Sequence, residues 1–145
     1  MSEVKRVLVP IDFSSNAKPI ADFACGKAQE LGATLTFLTV VENTGFHHSF
    51  WVQDSILRDV RDRLEKKAKD FIEEHKQLCK YCDEAKVIVG DTVEEIIKTA
   101  EEGSYDMIII GTHGYRGMEK ILLGSVAERV VKNAPCPVLV FNPNK

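Results

Sequence analysis

Residues 106–141 read DMIIIGTHGYRGMEKILLGSVAERVVKNAPCPVLVF, and this stretch decides the fold. After Asp106 comes an uncharged Met-Ile-Ile-Ile run, the pattern of a strand buried on both faces. A glycine-rich passage follows over residues 111–117, then a helical pattern over 118–123 that breaks at Gly124. A second helix is expected from Ser125, with Glu128 at the capping-box spacing and Val126, Ala127, Val130, Val131 and Ala134 facing inward. Pro135 and Pro137 stop it, and Val138 to Phe141 form another apolar strand. Strand, helix and strand in this succession call for parallel pairing through a right-handed crossover.

The same alternation runs upstream. Residues 4–11 are strand-like, and Ser14, Ser15 and Asn16 offer N-caps for a helix with Ala17, Ile20, Ala21, Ala24, Ala28 and Leu31 at helical spacing. Gly32 ends that helix, and Pro19 is tolerated in its first turn. Residues 34–41 are β-branched and apolar, the second strand. Residues 42–52 have no period and carry two histidines and three aromatics, so they read as a loop over the sheet's edge. A long charged helix comes next, its stripe formed by Leu57, Val60, Leu64, Phe71, His75 and Leu78. Residues 86–89 form a short third strand; Asp91 and Glu94 then cap a helix with Val93, Ile96, Ile97 and Ala100 inward and Gly103 at its end. The fold class is α/β: an open, doubly wound, five-stranded parallel sheet with helices on both faces, one domain over residues 1–145.

Composition agrees. The 145 residues are 44% hydrophobic and 28% charged, with 19 basic against 22 acidic side chains and a net charge of −3. A chain of this length buries roughly 70% of its unfolded surface, which argues against disorder or dependence on disulfides. Mild acidity without a Lys/Arg stripe argues against nucleic acid and anionic membrane as partners. The apolar run at residues 7–11 is too short for a signal-peptide core, and no run approaches the ~20 residues of a membrane helix. A cytoplasmic location is expected, with Cys25, Cys79, Cys82 and Cys136 as free thiols.

Open α/β sheets bind ligands beyond the carboxyl ends of the strands, where the strand order reverses. An order of 2-1-3-4-5 would put that crevice between strands one and three, and 3-2-1-4-5 between strands one and four. The loops favour the second, because Pro10-Ile11-Asp12-Phe13-Ser14 and Gly111-Thr112-His113-Gly114 are far more ligand-like than Gly90-Asp91-Thr92. Gly111 and Gly114 let backbone N–H groups approach an anion, and a helix starting at Ser125 directs its free N–H groups and positive dipole end at a phosphate. Glycines also serve ordinary turns, but two of them with a later Gly124-Ser125 beside one crevice favour the phosphate cradle. Asp12 has two equally supported readings, an acceptor for sugar hydroxyls or a turn carboxylate before the first helix. Neither a P-loop nor a dinucleotide fingerprint is present.

Gly111-x2-Gly114-x9-Gly124-Ser125, followed by Val126-Ala127-Glu128-Arg129-Val130 and by residues 134–140, resembles the ATP-binding branch of the universal stress protein family. Val7-Leu8-Val9-Pro10-Ile11-Asp12-Phe13-Ser14 matches that family's first strand and loop, and the resemblance covers the whole chain. It implies the sheet order 3-2-1-4-5 and an ATP site. Pro10, Ile11 and Asp12 would line the adenosine side, Asp12 on the ribose, with Val40 against adenine. Ile110, Gly111, Gly114, Gly124, Ser125 and Val126 would hold ribose and phosphates, with Thr112 and His113 between the first two glycines. The ligand would be ATP with Mg, AMP or ADP being the competitors, and the output a stress-response or signalling one. A homodimer through antiparallel contact of the strand from Val138 to Phe141 is also implied, and it would cover an otherwise bare edge.

The alternative functions are a slow ATP hydrolase, with His113 or Asp12 ordering water or metal, and a thiol or metal sensor using Cys79 and Cys82. The first lacks a definite base and charge clamp, so the chain reads as primarily a binding module with no catalytic residue assigned. For the second, Cys79-x2-Cys82 with His75 lacks a second ligand pair and ends a helix, which favours packing and surface thiols. The aromatic loop at residues 42–52 reads as a hydrophobic anchor or subunit contact in preference to a lid over adenine.

Overall fold

Strand β1 (Arg6–Pro10) is central, flanked by β2 (Thr34–Glu42) on one side and β4 (Met107–Gly111) on the other. Outside them lie β3 (Cys82–Gly90) and β5 (Val138–Phe141), giving a five-stranded, all-parallel sheet of order 3-2-1-4-5, the order that the loops favour. The computed structural model describes residues 3–42, 54–112 and 124–143. Helices α1 (Ala17–Leu31), α2 (Asp54–Gln77), α3 (Thr92–Glu102) and α4 (Ser125–Asn133) join the strands.

Period-two alternation explains the two cores. Val7, Val9, Leu35, Phe37 and Ile109 pack with Ala21, Ala24 and Ala28 of α1 and Ile72 of α2. On the other face Leu8, Leu38, Ile108 and Ile110 pack with Val93 and Ile96 of α3 and Ala127 and Val130 of α4. The isoleucine run of β4 therefore feeds both faces, as its lack of alternation requires.

The helix ends follow from backbone chemistry. Gly32 takes the left-handed conformation at φ 66°, so that the Ala33 N–H donates to Ala28 O at 2.9 Å. The Asp91 side chain caps α3 by accepting the Glu94 N–H at 3.0 Å. At the amino edge of the sheet the Asp106 carboxylate accepts the Lys5 and Arg6 N–H groups at 3.0 and 2.9 Å, and the Arg6 guanidinium stacks on the Tyr105 ring and donates to Gly103 O.

Several expectations change. Cys25 and Cys79 form a disulfide, because α1 and the turn after α2 lie on the same sheet face and bring their Cα atoms to 6.0 Å. Cys82 and Cys136 are the free thiols. Cys79 lies beyond α2 and Cys82 opens β3, which starts earlier than its apolar run indicates. Among the described residues no group of three or more His, Cys, Asp or Glu side chains could hold a metal ion, and the His75 Nδ1 lies 2.9 Å from Phe71 O. Among the described residues of α2, Ala68 and Ile72 are the buried positions and Val60 and Leu64 are exposed, while Leu78 lies just beyond the helix at 69% exposure. The Leu57 side chain lies outside the described residues. Val131 of α4 also faces out, at 45% exposure, a helical turn being too narrow to bury it beside Val130. Among the described residues no helix is long and apolar enough to cross a membrane.

Candidate functional site

The strand order reverses between β1 and β4, and a cavity of about 290 Å³ opens over their carboxyl ends and that of β2. Its β1 wall is Pro10, Ile11, Asp12 and Ser14; Ile110, Gly111 and Thr112 come from β4 and the residue beyond it. Leu38, Val40 and Glu42 of β2 face Thr92 and Ile96 of α3, while Gly124, Val126 and Ala127 close the side at α4. Asn16 and Ile20 complete the lining. Leu38, Val40, Ile96 and Ile110 thus provide apolar surface for a flat ring, and Asp12, Ser14, Asn16, Glu42, Thr92 and Thr112 supply the polar part of the lining.

Short-range bonds hold the β1 wall. The Ile11 N–H donates to Leu38 O at 2.9 Å, and the Thr39 hydroxyl donates to Ile11 O at 3.1 Å. The Asp12 Oδ1 accepts the Ser14 N–H at 2.9 Å, and the Ser14 hydroxyl oxygen accepts the Asn16 N–H at 3.3 Å. The turn role of Asp12 is therefore present while the residue also lines the cavity. A carboxylate with one bond of this kind keeps acceptor capacity for a sugar hydroxyl.

At the opposite wall the glycines differ in their reasons. Gly111 has no left-handed backbone; a Cβ there would stand 2.8 Å from Ile20 Cγ1, so glycine lets α1 close on the end of β4. The Thr112 N–H donates to Phe141 O at 2.9 Å, because the β4–β5 ladder continues through it, and so it is not a free donor for an anion. Gly124 is the N-cap of α4, and the Glu128 N–H to Gly124 O bond at 3.0 Å is the first of the helix. The amides of Ser125, Val126 and Ala127 precede that bond and have no partner within the helix. Ser125 is the first helical residue, makes no capping bond and is exposed beside the cavity; the expected capping box with Glu128 is absent because Gly124 occupies the cap position.

The fold brings Pro10, Ile11, Asp12, Val40, Ile110, Gly111, Thr112, Gly124 and Val126 to one cavity. His113 and Gly114 lie outside the described residues, as do the helical pattern at 118–123 and all of the aromatic loop after Glu42. Glu42 and Thr92, joined by a Thr92 Oγ1 to Glu42 Oε1 bond of 2.6 Å, are cavity residues that sequence reasoning missed. The available signal was strand period: Leu38 and Val40 point to the cavity, so Glu42 does too once β2 extends one residue further.

Comparison with known proteins gives the same architecture. The model of the universal stress protein family matches residues 3–142. Universal stress protein MJ0531 of Methanocaldococcus jannaschii is 34% identical over 146 residues, covering 97% of this chain and 84% of its own. The solved structure of UspA from Lactobacillus plantarum has a TM-score of 0.83 at 26% identity, covering 97% of this chain and 99% of that one. The structure of MJ0577 has a TM-score of 0.82 at 28% identity, covering 97% of each chain. More distant structures share the fold, among them an Arabidopsis thaliana family protein with AMP bound, at a TM-score of 0.67 and 21% identity over 95% of this chain and 91% of its own. Another is the Archaeoglobus fulgidus universal stress protein in complex with dAMP, at 0.61 and 18% over 96% and 98%. With its parallel sheet, its crevice at the β1–β4 reversal and a family match over nearly its whole length, this chain belongs to the universal stress protein family.

Proposed function

We propose that this protein binds ATP, as Mg-ATP, in the cavity at the β1–β4 reversal, and that its occupied and empty states carry a stress-response or signalling output. The observation that carries this reading is the order of chemistry along the cavity. An apolar floor at Val40 and Ile96 suits a purine, Asp12 suits ribose hydroxyls, and the amides at the start of α4, which have no partner within the helix, suit phosphate. The AMP and dAMP bound by relatives of the same fold support an adenine nucleotide as the ligand. The reading includes a cytoplasmic location and a homodimer built on β5, an edge strand whose four residues are all partly exposed.

Titration calorimetry of nucleotide-stripped protein with Mg-ATP, beside Gly124→Val, tests the reading. Binding by the native chain and its loss in the variant are expected. No heat from folded, stripped native protein would overturn it, and sustained phosphate release abolished by Gly124→Val would change the module into a slow ATP hydrolase.

A further inference from the structure

Resting on that nucleotide reading, we infer that Glu42, positioned by Thr92, selects the base: it favours a base that presents an amino group over one that presents a carbonyl at the same edge.

Glu42 ends β2 on the cavity face, in line with Leu38 and Val40, and pairs in register with Gly90 of β3. It therefore stands on the wall remote from α4. Neighbouring strands lie about 4.8 Å apart, so the β2 wall is about 10 Å from the β4 wall, room for a base and a sugar in between.

Electrostatics orient a ligand in this space. The start of α3, next to Glu42, already has the Asp91 side chain on its Glu94 N–H and carries Glu94 and Glu95 in its first turn. Its positive end is quenched, and the Glu42 carboxylate adds negative charge beside it. The start of α4 has no side-chain cap, and the Glu128 carboxylate of its first turn is paired with Lys132 at 3.1 Å. Phosphate is thus drawn to α4 and repelled from Glu42, which leaves the base against Glu42.

An ionised carboxylate only accepts hydrogen bonds. Thr92 donates its hydroxyl hydrogen to Oε1 at 2.6 Å and fixes the rotamer. Among the described residues Oε2 is left to accept from an exocyclic amine such as the 6-amino group of adenine. The carbonyl of a 6-oxopurine in that place would put two acceptors face to face.

Calorimetry with ATP and ITP, which differ at the purine 6-position and in the N1–H that accompanies the ITP carbonyl, tests this, with N1-methyl-ITP, which keeps the carbonyl and lacks that N1–H, as the control. The native chain should prefer ATP by at least about tenfold, and Glu42→Gln, whose amide both accepts and donates, should reduce that preference about tenfold, largely by gaining affinity for ITP. Thr92→Val should lower the preference and Thr92→Ser retain it. An ATP to ITP ratio unchanged in Glu42→Gln, with both nucleotides binding, would overturn the role of Glu42 and leave the nucleotide site standing. Failure of the native protein to bind either nucleotide would overturn the nucleotide reading and this inference with it.

Discussion

The Asp12 carboxylate accepts the Ser14 N–H at 2.9 Å while the residue forms part of the cavity wall, so a turn bond holds the side chain that the proposed function assigns to a sugar. Asparagine keeps an oxygen for the turn and loses the charge. Asp12→Asn should therefore leave stability within about 0.5 kcal/mol of the native value, yet weaken ATP binding about tenfold through loss of a charge-assisted bond. Asp12→Ala should lower both. Thermal melts beside calorimetry check this, and equal ATP affinity in native protein and Asp12→Asn would leave Asp12 a turn residue alone.

Gly111 is a packing requirement before it is anything else. The buried Ile20 side chain fills the space a Cβ would need, with Cγ1 at 2.8 Å. Gly111→Ala should destabilise the fold by about 1 to 2 kcal/mol. Ile20→Val removes the outermost methyl, so the double variant should be more stable than the sum of the single losses predicts. Urea unfolding of the four proteins measures the coupling; additive losses would mean that the glycine is needed for another reason.

How much of this could be read in the chain depends on whether the cause is local. The strands, the Asp91 cap and the left-handed Gly32 arise from nearby residues and were legible, as was the strand order, since the two ligand-like loops follow strands one and four. Partnerships between distant residues were not. Cys25 and Cys79 are 54 residues apart and meet only because α1 and the end of α2 share one sheet face. The hydrogen bond between Glu42 and Thr92 crosses 50 residues and depends on β2 and β3 ending side by side. Likewise α2 has enough apolar side chains for more than one stripe, and packing against β2 and β3 decided for Ala68 and Ile72.

The disulfide should be measurable as stability. Closing a loop of this length stabilises a fold by about 4 kcal/mol in the chain-entropy account, less where the reduced chain keeps structure. Reductant should lower the urea midpoint of the native protein and have no effect on Cys25→Ala/Cys79→Ala. Burial pushes the Cys82 and Cys136 thiols up from their usual range, and the Cys82 thiol donates to Glu84 O at 3.1 Å. Alkylation of the folded, unreduced protein near pH 8 should accordingly be slow, speeding up on unfolding. Four alkylated cysteines in unfolded, unreduced protein would remove the Cys25–Cys79 bridge.

Tyr105 and Thr36 share a hydrogen bond in the core: the phenol donates to the Thr36 hydroxyl at 2.8 Å, and both residues are buried. Tyr105→Phe leaves the threonine hydroxyl without that donor, and Thr36→Val leaves the phenol without that acceptor. Each should cost about 1 to 3 kcal/mol, because a buried polar group loses its partner and cannot reach bulk water. The double variant removes both polar groups and should cost less than the sum. Neither residue lines the cavity, so ATP affinity should stay within twofold in all three proteins. A double-mutant cycle by urea unfolding gives the coupling. A coupling near zero would mean that other partners satisfy each hydroxyl, whereas a positive one identifies this bond as the polar tie between β2 and the segment leading into β4.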